Sequence, residues 1–291
     1  MIKNRLLITG GSGFVGGHLI NLAQSEWDVW TTWNTHPISM KGVRSVNLDI
    51  SSEKAIEDLV DKLQPQVIIH TAAWSDLEKC EKNPEQAFRI NTTATEVFAE
   101  ISVKAGIRFL FISSDMVFDG KKGNYKETDT TNPINIYGKT KLTAEKFVKA
   151  ICTNYVIARS ALIYGPPLTG SNSFSEKILE KLSAGEIMPL FRDQFRSPIL
   201  VQNLAQALLE LARCDFCGII HLGGIERTDR YTFGTCLAEI KGFSEDLLKP
   251  VSMSSIKTQA PRPQDTSFDI SKARRLLSTN FIGIKQGLRE F

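Results

Sequence analysis

Tyr137 and Lys141 stand four residues apart in Asn135-Ile136-Tyr137-Gly138-Lys139-Thr140-Lys141, a spacing that puts a phenol and an ammonium on one face of a helix. A neighbouring cation favours tyrosinate over tyrosine, so a phenol with a reference pKa near ~10 is tuned toward proton exchange at neutral pH. That chemistry suits the reduction of a carbonyl. The same spacing also arises on amphipathic surface helices whose lysine is merely solvated, so the pair needs support from elsewhere in the chain.

Support comes from the start of the chain. Arg5-Leu6-Leu7-Ile8-Thr9 reads as a short buried strand, followed by Gly10-Gly11-Ser12-Gly13-Phe14-Val15-Gly16 and an apolar-periodic helix through Leu19, Ile20, Leu22 and Ala23. Gly10 suits the tight turn, Gly13 a close approach to a pyrophosphate, and Gly16 the packing of helix on strand. Free amides at the helix start then face a negative charge. Gly10, Gly13, Phe14, Val15 and Gly16 are therefore expected to hold a dinucleotide. A plain glycine-rich loop is the alternative.

Beyond that turn, strand and helix patterns alternate. Val29 to Trp33, Val43 to Leu48, Val67 to His70, Phe109 to Ile112 and Tyr155 to Ala158 read as strands, with helices near 53–63, 85–105 and Tyr137 to Ala150. Such alternation predicts an α/β fold with a doubly wound parallel sheet, and a smaller substrate lobe interleaved with it. The expected division is 1–160 plus 199–223 for dinucleotide binding, and 161–198 plus 224–291 for the lobe. Helices at Phe174 to Leu182 and Val201 to Ala212, and a strand at Gly218 to Leu222, complete the pattern. Phe111-Ile112-Ser113-Ser114-Asp115 ends its strand in polar residues, where ligands of open parallel sheets bind. Serines at a strand end can also be plain turn formers.

Composition narrows the classes. The chain has 291 residues, 42% hydrophobic and 23% charged, with a net charge of +3, ordinary values for a globular protein. No Lys/Arg block suggests nucleic-acid binding, and no apolar run approaches the ~18 residues of a membrane span. The first residues run directly into a strand, so a cytoplasmic location is the expectation. Five scattered cysteines, at 80, 152, 214, 217 and 236, fit reduced thiols. Cys214-Asp215-Phe216-Cys217 lacks a second such pair and is expected to be a helix end running into a strand.

Taken together, Thr9 to Gly16, His70-Thr71-Ala72-Ala73, Ser114-Asp115 with Val117-Phe118-Asp119-Gly120, and Tyr137 to Lys141 carry a resemblance to the extended short-chain dehydrogenase/reductase superfamily. Within it the chain resembles the dTDP-4-dehydrorhamnose reductases. Asp193-Gln194 through Ser197-Pro198, and Arg262-Pro263 followed by Asp269, agree with this. The resemblance implies that Tyr137 donates the proton, Lys141 holds the nicotinamide ribose, and Ser114 hydrogen-bonds the reacting carbonyl, while hydride comes from the cofactor. It further implies that Ala72 and Ala73 line the dinucleotide path and that Asp49, with Ile50 beside it, contacts adenine. Asn91 matches an asparagine that supports the lysine and a relay water; a helix-interior polar role is equally open. A homodimer and a magnesium ion at its interface are permitted by the resemblance alone, and no ligand cluster is assigned to a metal.

One departure is informative. Related 4,6-dehydratases carry a glutamate base after the Ser/Thr-Asp pair, and the reductases usually carry tyrosine, whereas this chain has Met116. A thioether neither donates nor accepts a useful proton, so dehydration is disfavoured and simple reduction survives. NAD-preferring sites place an acid about twenty residues beyond the glycines. Trp30 to His36 contains none, which favours NADPH, with NADH the other candidate and Lys41 or Arg44 the cations that would reach in. The expected substrate is a nucleotide-linked sugar, contacted by Asp115 and with its diphosphate gripped by Arg192 and Arg196 on a loop. Arg159 is expected to pair internally.

Two other functions share these residues. The chain is similar to the regulatory beta subunit of methionine adenosyltransferase, which would make it an NADP-binding partner of another enzyme. An epimerase with tightly held NAD is the third reading, disfavoured by the missing acid.

Overall fold

The computed structural model describes residues 3–170 and 173–291. Met1, Ile2, Ser171 and Asn172, inside the two expected divisions, lie outside the described residues. Six strands, β1 (Arg5–Thr9), β2 (Asp28–Trp33), β3 (Arg44–Asn47), β4 (Val67–His70), β5 (Arg108–Ser114) and β6 (Tyr155–Ser160), are crossed by helices α1 (Phe14–Ala23), α2 (Glu53–Leu63), α3 (Leu77–Lys82), α4 (Pro84–Phe88), α5 (Ala94–Ala105) and α6 (Ile136–Ile151). With β11 (Gly218–Leu222) they form one parallel seven-stranded sheet in the order β11-β6-β5-β4-β1-β2-β3. The order reverses beside β1, and a parallel sheet opens a ligand crevice at the carboxyl ends of its strands at such a point.

Alternation along the central strands builds the two faces. Leu6 and Ile8 of β1, Val67 and Ile69 of β4, and Val156 and Ala158 of β6 pack with α1 and with α8 (Val201–Arg213). Leu7, Ile68, Phe109, Phe111 and Ile157 face the other way, onto α2, α5 and α6. Strands buried on both sides read as unbroken apolar runs, as β1 does.

Between the sheet and the chain end lie short pairs: β7 (Ile163–Tyr164) with β10 (Ile199–Leu200), β8 (Met188–Phe191) with β13 (Leu248–Val251), and β9 (Phe195–Arg196) with β12 (Thr228–Asp229). Helices α7 (Phe174–Ser183), α9 (Arg230–Lys241) and α11 (Ile284–Arg289) close a separate apolar cluster around Tyr164, Leu190, Phe233 and Leu237. A short helix α10 (Ser271–Leu276) precedes α11.

The stretch expected as one helix over 85–105 is instead α4, a π-turn at Arg89–Thr93 and α5. A π-turn inserts one residue per turn, and such bulges recur at functional sites. Here it turns Asn91 inward and leaves it fully buried. Among the described residues no helix is long and apolar enough to cross a membrane.

Candidate active site

Two adjoining cavities, of 400 and 390 Å³, run along the carboxyl ends of the strands and share Gly13, Thr71 and Ala73. Two larger depressions, of 670 and 650 Å³, share Glu26 and Arg213 and lie at the opposite end, beside Asn4 and the first residue of β4. The smaller pair carries the chemistry, because strand carboxyl ends and helix amino ends meet there.

The glycine turn forms one wall. Gly10 has φ +70, and a Cβ on it would lie 2.8 Å from Ala72 Cα; a Cβ on Gly16 would lie 2.4 Å from the Gly10 oxygen. Only glycine lets strand, turn and helix close this tightly. The start of α1 has no side-chain cap, and Gly13, Phe14 and Val15 line the cleft. First-turn amides that have no side-chain cap and face a cavity fit a pyrophosphate. Thr9 fastens the neighbouring strand ends: its hydroxyl lies 2.8 Å from His70 Nδ1 and accepts from Ala72 N at 3.2 Å.

Ala72, Ala73, Asp49 and Ile50 line the first cavity together with Thr32, Trp33, Asn34, Thr35 and His36. The Asp49 carboxylate accepts from Ser51 N at 2.9 Å, which holds its pKa below the usual carboxylate range. Arg44 does not reach in: its Nη1 is 3.1 Å from Asp28 and its guanidinium stacks 5.0 Å over Trp30.

Ser114, Tyr137 and Lys141 line the second cavity. Local sequence brings them together. Asn135 caps α6, accepting from Gly138 N at 2.8 Å and donating to Pro261 O at 3.0 Å. A Cβ on Gly138 would lie 2.1 Å from Met116 O, so the first turn of α6 rests on the backbone that follows β5. That contact sets Tyr137 near Ser114, whose hydroxyl lies close enough to act on the ionisation of the phenol.

The electrostatics correct one expectation. Without a ligand, Tyr137 is not poised as an easily ionised phenol: burial raises its pKa, the Ser114 hydroxyl opposes this, and the Asp115 charge adds to the rise. Desolvation acts instead on the lysine. Lys141 is 2% exposed and burial pushes its pKa down to about 7, against the pull of Glu145. Its Nζ sits 4.1 Å above the Phe111 ring, a contact that favours the cation.

Asn91 is a buried polar residue of the π-turn. Its amide accepts from Trp74 N at 2.7 Å and donates to Trp74 O at 3.0 Å and Thr140 Oγ1 at 3.1 Å. It pins the loop after β4 to the residue before Lys141.

The substrate contacts expected from sequence are placed differently. Arg196 is not a loop cation: it lies in β9, 1% exposed, 3.2 Å from Asp115 and donating to Pro263 O at 3.1 Å. Asp115 is equally occupied, since a 3₁₀ turn points its carboxylate inward, where Thr266 Oγ1 donates at 2.6 Å. A buried charge demands a partner, and each of these two is the other's. Arg192 is exposed and outside the residues lining either cavity. Arg159 pairs internally, with Glu145 at 2.7 Å.

Sequence reading missed Glu145, Arg230 and Arg262. Glu145 was within reach, one turn beyond Lys141 on the same helix face. The two arginines are distant in sequence; Arg262 entered only as part of the Arg262-Pro263 segment, without a role, and nothing local marks Arg230. Arg230 stacks 4.3 Å over Phe174, a cleft residue, and burial together with repulsion from Arg196 and Arg262 pulls its pKa down to about 9. Buried Nη1 of Arg230, Nε of Arg262 and Nε of Arg196 have no hydrogen-bond partner, although Arg262 Nη2 holds Glu78 at 3.0 Å and Arg196 Nε faces Asp115 at 3.2 Å. Among the described residues no group of three or more His, Cys, Asp or Glu converges as metal ligands.

The family described as RmlD substrate binding domain matches residues 4–291. A crystal structure of a hypothetical dTDP-4-dehydrorhamnose reductase from Sulfolobus tokodaii is 35% identical, with 97% of this chain and 98% of that one covered and a TM-score of 0.87. The dTDP-4-dehydrorhamnose reductase of Bacillus anthracis, solved with NADP, is 26% identical over 100% of this chain and 99% of its own, with a TM-score of 0.89. Methionine adenosyltransferase 2 subunit beta of Xenopus laevis is 28% identical, covering 99% of this chain and 87% of the relative.

Proposed function

The chain belongs to the RmlD substrate binding domain family, and from that premise we propose that it is an NADPH-dependent reductase of the 4-keto group of a nucleotide-linked 4-keto-6-deoxy sugar. One observation carries the reading: Ser114, Tyr137 and Lys141 line a single cavity that continues into the glycine turn. A nicotinamide dinucleotide fits there because the residues present supply uncapped amides and close-packed glycines. When bound, the cofactor supplies hydride.

The side chains supply the rest. Ser114 Oγ orients the carbonyl, and Tyr137 Oη donates the proton that completes the alcohol. Its raised pKa keeps the phenol protonated and ready as an acid before the ammonium of Lys141 and the cofactor charge act on it. Lys141 holds the ribose hydroxyls. Arg230, stacked on the cleft residue Phe174 and with an unpartnered Nη1, replaces Arg196 as the diphosphate ligand. Met116 leaves no base for dehydration. Trp33 to His36 bring no carboxylate to the ribose end, which supports NADPH over NADH.

The test is NADPH oxidation with a panel of nucleotide 4-keto sugars, run beside NADH. Tyr137→Phe removes the proton donor and should lower kcat by ~10²–10⁴ while NADPH still binds. Wild-type turnover in that variant would remove Tyr137 from the mechanism. The similarity to the methionine adenosyltransferase subunit, which extends over nearly the whole chain, supports a second reading as a cofactor-binding regulatory subunit. NADPH binding without oxidation by any of the sugars, together with capture of a methionine adenosyltransferase, would favour it.

A further inference from the structure

Lys141 is a buried ammonium on α6, and the groups around it are few. Beneath it lie the Phe111 ring at 4.1 Å and His70, buried and held neutral with a pKa pushed down to about 3. Neither offers a negative charge. The opposing carboxylate is Glu145, one helical turn along α6 and 3% exposed.

Glu145 is itself held on three sides. Arg159 of β6 donates to it through Nε at 2.9 Å and Nη2 at 2.7 Å, and Ser113 Oγ of β5 donates to its Oε1. Behind Arg159, Nη1 lies 3.4 Å from His221 Nε2, and His221 Nδ1 is 3.0 Å from Tyr125 O. A carbonyl can only accept, so His221 Nδ1 carries the proton and Nε2 receives the guanidinium. His221 is neutral too, its pKa pushed down to about 3. The carboxylate thus joins β5, which carries Ser114, and β6 to the helix that carries Tyr137 and Lys141.

We propose that Glu145 is a positioning residue for the Tyr137 and Lys141 pair, whose carboxylate, anchored by Arg159 and Ser113, keeps Lys141 an ammonium and fixes α6 against β5. The inference rests on the reading of the cleft as a nicotinamide dinucleotide site, since that is where an ammonium at Lys141 has work to do. Burial already brings Lys141 down to about 7 with Glu145 in place. Without the carboxylate, desolvation is opposed by the aromatic face alone, and the amine becomes the majority form at neutral pH.

The test reads Lys141 directly. In ligand-free protein labelled with ¹³C-lysine, the ε-carbon of Lys141 should titrate near neutrality in the wild type, and Glu145→Gln should lower the midpoint by at least ~1 unit. An unchanged midpoint would overturn the proposal. Glu145→Gln leaves Arg159 buried without its partner and could fail to fold, so Glu145→Gln/Arg159→Met, which removes both charges, is measured as well and should also show a downward shift. Because the guanidinium charge leaves with the carboxylate, the shift in this double variant should be the smaller of the two; if it folds and titrates as wild type does, the proposal is likewise overturned. NADPH affinity separates this from the functional reading: wild-type protein that titrates as described yet binds no nicotinamide dinucleotide would sink the reductase reading and leave the charge relationship standing.

Discussion

At the scale of single residues, the same side-chain type takes opposite roles according to burial. Arg192 is exposed, whereas Arg196, four positions on, is enclosed with Asp115. The expectation that Arg196→Ala chiefly raises KM therefore changes. Removing the guanidinium strands the Asp115 carboxylate, 4% exposed, and breaking a buried pair this way costs about 3–5 kcal/mol. Urea denaturation should show that loss as a lower midpoint. A variant as stable as wild type, with only KM altered, would return Arg196 to the substrate. Tyr137 teaches the same lesson: spacing announced a phenol beside a cation, but the direction of its pKa followed from its surroundings.

At the scale of elements, the contact between the start of α6 and the turn after β5 positions the chemistry. Gly138 lies within the run that first drew notice, yet its purpose is steric and invisible along the chain. A methyl group there meets Met116 O at 2.1 Å, so Gly138→Ala must push α6 away from β5. A displacement near 1 Å at reacting groups costs about 10²-fold in rate, and forced overpacking about 1–3 kcal/mol. Steady-state turnover should fall by that order while cofactor affinity, set largely by the α1 side of the cleft, falls much less. Full turnover in the variant would show that α6 tolerates the shift. The π-turn at Arg89–Thr93 is the other element-scale device. Apolar periodicity there reads as one helix because α4 and α5 continue each other; the extra residue that swings Asn91 toward Trp74 leaves no mark on composition.

At the scale of the whole molecule, the sheet buries two imidazoles. His70 and His221 are 1% and 0% exposed, and burial is the largest cause pushing each pKa to about 3, against about 6.5 in an unfolded chain. The folded pKa is depressed, so below pH 6.5 the unfolded chain binds protons that the folded one refuses. Stability is therefore complete above pH 6.5 and is lost as pH falls toward 3, at up to about 1.4 kcal/mol per pH unit for each histidine. Thermal melting at pH 7, 6 and 5 should give a falling Tm over this range. A flat Tm would show that both imidazoles reach solvent.

The sequence by itself determined the strand, the glycine turn and the helix that begin the fold, the alternation that builds the parallel sheet, and the spacing of Ser114, Tyr137 and Lys141. These are local facts, written in periodicity, in glycine where backbones crowd, and in residues one helical turn apart. Tertiary structure alone decided which charges are spent and which remain free. Arg196 closes on Asp115, Glu145 on Arg159, Arg44 on Asp28 and Arg262 on Glu78, while Arg230 reaches Phe174 at the cleft from a distant segment. Pairing and desolvation depend on what packs around a group in three dimensions, and contacts between residues far apart in sequence leave no periodic trace in the chain that makes them.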